Sequence, residues 1–435
     1  MRLLTACLLG FIGSAAMAEM PAPVTDADFM PLDPAQVRLG QMLFYDPILS
    51  GNRNISCATC HHPKFATADG VALSLGEGGI GLGPERRASA DNTPEQRIPR
   101  NAPALFNLGA REFTVMFHDG RIEVDPSKPG GLRTPLGAEM TEGFANLLSA
   151  QTMFPVLSAD EMAGHYSEND VSQAVRQGRI TGPGGAWDVL SRRVAETPGY
   201  APLIAAAFPK SEALTFTDIS DAIAAFVAFE WRSDTSLFDA HLRGEAALPA
   251  KAQLGKQLFY GTAGCSECHA GVFQTDHRFH AMGAPQFGPG KAARFESHVR
   301  DVGRMRVTGR DADAYAFRTP SLRNVAHTGP YGHTGSHAEL AAFIADHVDP
   351  MAGLDRFTPA QVALPALPGA DDWRHVQDPV EQAALRAAIT GKPRPLEPAD
   401  IAALVAFLGT LSDPVALEGR LGVPASVPSG LPVDR

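Results

Sequence analysis

The sequence predicts a mainly α-helical protein made of two related domains, with long loops and little sheet. A segment occurs twice, as LGQMLFY at residues 39–45 and LGKQLFY at residues 254–260, and its apolar residues recur at helical spacing. Residues 218–229 are typical of a buried helix and residues 399–411 of a closing helix. The chain has 42 glycines and 35 prolines but few long alternating runs, which favours ordered loops between the helices.

Length and charge limit the class of protein. At 435 residues the chain is long enough for two domains with apolar cores. The formal net charge is -11 at pH 7 and there is no basic run, so we expect no nucleic-acid partner. After the N-terminal segment, no stretch is apolar over the roughly 18 residues that a membrane span requires, so we expect no span.

The first residues are typical of a cleaved secretory signal. Arg2 precedes an apolar run that ends in the small-residue pattern AMA before Glu19. We therefore predict a signal peptide at residues 1–18 and a mature protein in the periplasm. Cys7 leaves a lipid anchor open as an alternative, although most of the apolar run follows this residue.

The four remaining cysteines form two pairs with the same spacing. Each pair stands in a C-x-x-C-H motif, and the motif residues are Cys57, Cys60 and His61, then Cys265, Cys268 and His269. At this spacing two thiols add to the vinyl groups of a haem, and the next imidazole binds the iron. We therefore predict two covalently bound haem c groups with a histidine on each iron. The two domains are expected at residues 19–245 and 246–435.

Paired cysteines also occur in disulfides and in four-thiolate zinc sites. Neither alternative requires a histidine directly after both pairs, and export favours haem attachment. Haem attachment is therefore the preferred interpretation.

Five further segments resemble the bacterial di-haem cytochrome c peroxidases and their MauG-type relatives. The segments are residues 100–107 (RNAPALFN), 117–121 (FHDGR), 151–162, 317–324 (FRTPSLRN) and 330–335 (PYGHTG). The resemblance covers nearly the whole mature chain. It implies that hydrogen peroxide reacts at the N-terminal haem and that the C-terminal haem passes electrons to it.

The resemblance implies that Glu161 is the acid–base group, with Gln151 and Pro155 in the same pocket. Breaking the O–O bond requires a proton to move between the peroxide oxygens, which a carboxylate can bring about. From the residues alone, Glu161 also fits a capping box that begins at Ser158. Many relatives rest with a histidine on this iron, and the matching position here is Glu77. An open site is therefore expected, and a solvated Glu77 is the alternative.

For the C-terminal haem, the resemblance implies a second iron ligand on the helix after PYGHTG. The matching position is His347, so we expect a bis-histidine haem of lowered reduction potential. Met351 is the main alternative ligand, and Met282 and Met305 are more remote ones. His347 could instead be a histidine that interacts with the dipole at a helix C-terminus.

Other expectations concern the region between the haems. The family's bridging tryptophan is replaced by His118, which puts charge sharing through this position in doubt. The resemblance also implies a calcium ion at Asn101, Thr328 and Pro330. The glycine- and proline-rich stretch 123–142 is expected to influence the choice of partner.

Three functions fit these residues. The preferred one is a periplasmic peroxidase that reduces hydrogen peroxide to water with electrons from a small cytochrome c or a cupredoxin. The second is a MauG-like oxidase that uses peroxide to modify residues of a partner protein. The third is a di-haem electron carrier, which would have no use for Glu161. No residue pattern names the donor, and both a monomer and a homodimer stay open.

Overall fold

The structure is a computed structural model that describes residues 20–140, 143–291, 296 and 298–435. The predicted signal at residues 1–18, which includes Cys7, lies outside the described residues. Residues 141–142, at the end of the glycine- and proline-rich stretch, also lie outside them. Regular structure in the described chain is mainly α-helical with little sheet, as the sequence predicts.

The helices are mostly short and are joined by long loops. In chain order they are α1 (Pro34–Tyr45), α2 (Cys57–Cys60), α3 (Leu147–Thr152), α4 (Asp170–Arg176), α5 (Ala186–Ala195), α6 (Ala201–Ala207), α7 (Phe216–Glu230), α8 (Leu237–Leu242), α9 (Ala250–Phe259), α10 (Met305–Thr308), α11 (Leu340–His347), α12 (Pro350–Arg356), α13 (Arg374–Gln377), α14 (Pro379–Ala388), α15 (Pro398–Gly409) and α16 (Pro414–Glu418). Among the described helices, none is long and apolar enough to cross a bilayer.

The strands form small antiparallel sheets. They are β1 (Gly79–Ile80) with β2 (Arg87–Ala88), β3 (Val115–Met116) with β4 (Ile122–Val124) and β5 (Leu132–Arg133), and β6 (Phe279–His280) with β7 (Phe317–Arg318). The hairpin of β4 and β5 is built largely from the glycine- and proline-rich stretch. Sheets of this size cannot carry a core on their own, so they fix loops against the helices.

The repeated sequence forms the first helix of two matching helix pairs. Helix α1 packs across α7, and α9 packs across α15. A glycine lies at each crossing: a Cβ on Gly40 would be 1.9 Å from Ala222 O, and a Cβ on Gly255 would be 1.9 Å from Ala403 O. Helix α7 contains the predicted segment 218–229, and α15 covers the predicted segment 399–411 except for its last two residues, so both helices are confirmed.

Each helix pair encloses an aromatic core. In the first, the Phe44 ring lies 5.4 Å from Phe226 and 5.1 Å from the fully buried Trp231, centroid to centroid. In the second, Phe259 lies 5.2 Å from Phe407. Tilted contacts at these distances are favourable for aromatic rings. The two cores are therefore built on the same plan.

The C-terminal tail returns to the first core. Val427 is buried there. Gln41 Nε2 donates to Gly422 O at 2.8 Å, and Ser429 Oγ donates to Asp46 Oδ1 at 2.6 Å. The predicted C-terminal domain thus includes a tail that packs on the N-terminal one.

The glycine crossing gives a first testable prediction. Gly255→Ala should lower the free energy of unfolding by about 1–3 kcal/mol, because the new Cβ would overlap Ala403 O and lie 2.8 Å from Phe407 Cβ. Gly409→Ala, at the end of α15, is the control, because no atom lies within 4 Å of its Cβ position. Denaturant unfolding of both variants measures the difference. Equal stabilities would contradict the close crossing.

Candidate active site

Each motif histidine is held by a hydrogen bond of the same kind, from its ring to a backbone carbonyl. His61 Nδ1 lies 2.9 Å from Thr67 O, and His269 Nδ1 lies 3.1 Å from Gln274 O. When Nδ1 donates to a carbonyl, Nε2 keeps its lone pair for a metal. Burial lowers the pKa of both imidazoles, which favours the neutral form that binds iron. Both motifs therefore present an oriented ligand.

The four motif cysteines are free thiols and are partly buried. Burial raises the pKa of Cys57 and of Cys60 to about 12. Within the described ranges, the single group of three or more side chains that could hold a metal ion is Cys268, Asp276 and His280, so the four thiols do not meet. The disulfide and four-thiolate zinc alternatives find no support here, whereas thiol pairs beside an oriented imidazole fit haem.

His347, the last residue of α11, faces His269. Their ring centroids are 6.4 Å apart, with an interplanar angle of 56°. Two imidazoles that each bind one metal ion through bonds of about 2 Å have ring centres roughly 6 Å apart, so this spacing fits one iron between them. Phe343 stacks on His347 at 5.3 Å and restrains its ring. Met351, the main alternative ligand, is 42% exposed, which disfavours it.

Glu161 lies in a π-helical turn, Ala159–Ala163, that begins after Ser158. The Ser158 hydroxyl accepts a hydrogen bond from Glu161 N, so the backbone of Glu161 completes the cap and its carboxylate is not needed there. Burial raises the pKa of the Glu161 carboxyl, whereas the charges of Lys291 and Arg121 act in the opposite direction. A partly buried carboxyl whose pKa is influenced by two cations is suited to proton transfer.

Gln151 lies on α3, and its side-chain Oε1 is buried with no hydrogen-bond partner in the described chain. Buried acceptors without a partner are uncommon, and such an atom suits a ligand that donates a hydrogen bond. Pro155 begins the next turn, Pro155–Leu157, and the turn with Glu161 follows. The predicted pocket residues thus lie on one short, tightly folded stretch.

Glu77 is completely buried, so the solvated alternative is wrong. Its Oε1 accepts hydrogen bonds from the Nδ2 atoms of three asparagines, at 2.7 Å from Asn52, 3.1 Å from Asn54 and 2.6 Å from Asn92. Its backbone N donates to Asp160 O at 2.9 Å, which ties the loop to the residue before the candidate acid. Oε1 of Glu77 therefore anchors this loop, whereas its Oε2 is buried without a hydrogen-bond partner among the described residues.

Removing this anchor should destabilise the protein. In Glu77→Ala, three asparagine amides lose their shared acceptor, and we expect the free energy of unfolding to fall by about 1–3 kcal/mol. The absorption spectrum of the oxidised protein should not change. Glu212→Ala, at an exposed position, is the control. A changed spectrum with unchanged stability would instead indicate that Glu77 acts at the iron.

His118 is half-buried and hydrogen-bonded. Its Nε2 lies 3.2 Å from Asn101 O. Burial, with the charge of Arg100 acting in the same direction, lowers the pKa of His118 to about 4, so the ring is neutral at neutral pH. The position of the family's tryptophan thus holds a neutral imidazole bonded to the backbone.

The structure brings two of the predicted calcium positions together. Asn101 Nδ2 donates to Pro330 O at 2.7 Å, and Asn101 Oδ1 is buried without a partner among the described residues. Thr328 lies two positions before Pro330. Oxygen ligands of this kind fit calcium, which takes about 6–8 of them, so water would have to complete the shell.

A buried ion network near this region was not predicted from the sequence. Arg100 Nε and Nη2 bind Asp301 at 2.6 and 2.8 Å, and Arg100 Nη1 binds Asp119 at 2.8 Å. All three side chains are buried. Arg100 and Asp119 belong to the recognised segments, but Asp301 is remote in sequence, so no local spacing could have revealed the pairing.

Comparison with known proteins agrees with this geometry. A family model described as di-haem cytochrome c peroxidase matches residues 34–247. The methylamine utilization protein MauG of Methylorubrum extorquens is 30% identical over 334 residues, 76% of this chain and 73% of that protein. The cytochrome c551 peroxidase of Pseudomonas aeruginosa is 30% identical over 337 residues, 76% of this chain and 77% of the relative.

Solved structures of di-haem proteins are also similar to this chain. A MauG-like protein associated with microbial copper homeostasis is 25% identical, with a TM-score of 0.56 over 94% of this chain and 97% of the other. The diheme peroxidase BthA from Burkholderia thailandensis is 21% identical, with a TM-score of 0.60 over 97% of both chains, and it supports the fold alone.

Two like cores, each with one C-x-x-C-H motif, define a two-haem redox protein. The chain belongs to the di-haem cytochrome c peroxidase family. It is an oxidoreductase that acts on peroxide.

Proposed function

We propose that the protein is a periplasmic peroxidase that reduces hydrogen peroxide to water with electrons from a small cytochrome c or a cupredoxin. The signal-like N-terminal sequence supports the periplasm, and similarity to a cytochrome c551 peroxidase supports a donor of this class. The residues that would hold the two haem c groups are Cys57, Cys60 and His61 for the first, and Cys265, Cys268, His269 and His347 for the second.

Haem, when bound, would supply electrons for breaking the O–O bond, and the residues of the chain would supply the proton transfer. The Glu161 carboxylate accepts a proton from one peroxide oxygen and donates it to the other, which leaves as water. Gln151 Oε1 accepts a hydrogen bond from the peroxide and orients it. The observation that carries the proposal is the partly buried Glu161 carboxyl, which is not needed for its helix cap and whose pKa is influenced by the charges of Lys291 and Arg121.

The second candidate function is MauG-like oxidation of a partner protein. The imidazole of His347 in place of a methionine, and the similarity to MauG, favour it. The neutral, backbone-bonded His118 weighs against it, because an imidazole is a poorer carrier of an electron hole than the tryptophan it replaces. The peroxidase requires no protein substrate and is therefore preferred.

Electron paramagnetic resonance of the oxidised protein tests the proposal. We expect one high-spin signal and one low-spin bis-imidazole signal, with a prompt optical change on adding one equivalent of peroxide. Reduced cytochrome c or cupredoxin should then be oxidised during turnover. Two low-spin signals without reaction before half-reduction would contradict an open site. Peroxide consumption without donor oxidation, together with oxidised residues in an added partner protein, would favour the second candidate.

A calcium ion at Asn101, Thr328 and Pro330 is also part of the proposal. Calorimetric titration of chelator-treated protein should show one calcium site, and Asn101→Ala should weaken calcium binding at least tenfold, because it removes the unpaired buried oxygen. Magnesium is the control, since it demands a smaller and stricter octahedral shell. Equal calcium affinity of the variant and the unaltered protein would contradict the assignment.

A further inference from the structure

A cavity of about 490 Å³ lies between the hairpin of β4 and β5, Lys291, and α10. Five cationic side chains line it, and we name it the cationic cavity: Arg121, Lys128, Arg133, Lys291 and Arg306. Asp119 is the acidic residue in its wall. Leu132 and Val307 add apolar surface.

Some of these charges already have partners. Arg133 pairs with Glu123 at 2.8 Å and with Asp125 at 2.9 Å. Arg121 pairs with Asp119 at 3.2 Å, but the second oxygen of Asp119 is occupied by a buried arginine at 2.8 Å. The wall acid is therefore shared between two guanidinium groups.

Lys128 and Lys291 form no close ion pair with a carboxylate within the part of the chain that the structure describes, and Lys128 is exposed. Lys291 is half-buried, and burial together with the charge of Arg121 lowers its pKa to about 8, whereas the charges of Glu161 and Asp119 act in the opposite direction. The Lys291 ammonium is partly removed from water, and an anion in the cavity would add to the favourable interaction that this ammonium has with the Glu161 charge.

The size of the cavity identifies the class of ligand. Hydrogen peroxide is close to water in size, and one water takes about 30 Å³, so peroxide would leave most of the space empty. Sites for small organic molecules measure roughly 300–1,000 Å³ and combine apolar walls with a few polar groups. The cavity has this size and this mixture, with cations as its polar groups.

We propose that the cationic cavity binds a small organic anion, and that Lys291 and Lys128 hold its carboxylate or phosphate group. The charges of Lys291 and Arg121 also lower the pKa of Glu161, so a ligand bound to these cations would lie near the candidate acid. Binding is independent of peroxide chemistry, so a failure of this proposal is distinguishable from a failure of the peroxidase proposal.

Isothermal titration of the oxidised holoprotein tests this site, with benzoate and inorganic phosphate as probes. We expect one benzoate per chain with a dissociation constant below about 1 mM, and no binding of benzamide, which has the same shape without the charge. The double variant Lys128→Gln and Lys291→Gln should bind benzoate at least tenfold more weakly. Lys210→Gln, at an exposed lysine outside the cavity, should bind it unchanged.

Phosphate that competes with benzoate and binds more tightly would assign the site to phosphate-bearing ligands, and weaker phosphate binding would assign it to carboxylates. Either result supports the proposal. The proposal would be overturned if neither probe bound at about 10 mM, tenfold above the expected dissociation constant. It would also be overturned if the double variant and Lys210→Gln bound benzoate with equal affinity. An altered haem absorption spectrum in the double variant, with no anion binding in the unaltered protein, would mean that the lysines serve the haem instead.

Discussion

Glu161→Gln should slow the reaction of the oxidised protein with hydrogen peroxide by a factor of roughly 10²–10⁴, the usual contribution of a general acid–base group. The amide has nearly the same shape, and the cap is made by the backbone, so the fold should be retained. Stopped-flow absorbance after mixing with peroxide measures the rate. Both haem signals should persist in the resting spectrum.

The pH dependence provides a second test of Glu161. Burial raises the pKa of this carboxyl, so it stays protonated to a higher pH than an ordinary glutamate. Because the carboxylate form accepts the first proton, the rate should rise with pH through this pKa and level off above it. Glu161→Gln should lose this limb, and Glu212→Gln, at an exposed position, should keep it. A variant with the unaltered rate and the unaltered pH profile would exclude Glu161 as the acid–base group.

His347→Met should raise the reduction potential of the C-terminal haem. A thioether stabilises reduced iron relative to imidazole, and axial ligands set potentials over a range of about 0.8 V, so a rise of on the order of 0.1 V is expected. The bis-imidazole low-spin signal should disappear. Spectroelectrochemical titration measures the potential. The rate at which the fully oxidised protein reacts with peroxide should change less than the rate of electron transfer from the C-terminal haem.

Met351→Leu is the matched control for the C-terminal ligand. This methionine is exposed, and leucine has similar volume, so the potential and the low-spin signal should be unaltered. The reverse pattern, in which Met351→Leu abolishes the low-spin signal and His347→Met preserves it, would show that the methionine is the ligand. The 6.4 Å spacing of the His269 and His347 rings leads us to expect the first pattern.

The fold was predictable where the information is local or repeated. The glycine at the second position of each LGxxLFY segment permits close helix crossing, and the partner helices carry continuous apolar patterns, so two like helix pairs follow from the sequence. The C-x-x-C-H motifs are contiguous and give the haem positions directly. His347 was predicted through family resemblance, and its ring lies where such a ligand requires.

Other parts of the candidate site depend on contacts between distant residues. The three asparagines that hold Glu77 come from two separate loops, so its burial could not be inferred from its neighbours. Lys128 and Lys291 are separated by more than a third of the chain and meet only in the cationic cavity. That both lysines line one cavity is a property of the folded chain, because residues so far apart in sequence have no fixed neighbours in an unfolded one.

The returning C-terminal tail reverses the usual order of assembly. A chain is synthesised from its N-terminus, and domains generally fold as they emerge. Here the second helix pair is complete once α15 exists, whereas the first core still lacks Val427 and the contacts of Ser429 with Asp46. Asp434 then accepts a hydrogen bond from Thr59, inside the first cysteine motif. The N-terminal core is therefore synthesised first but completed last. A chain that lacks its last few residues would lose the tail contacts at the first cysteine motif.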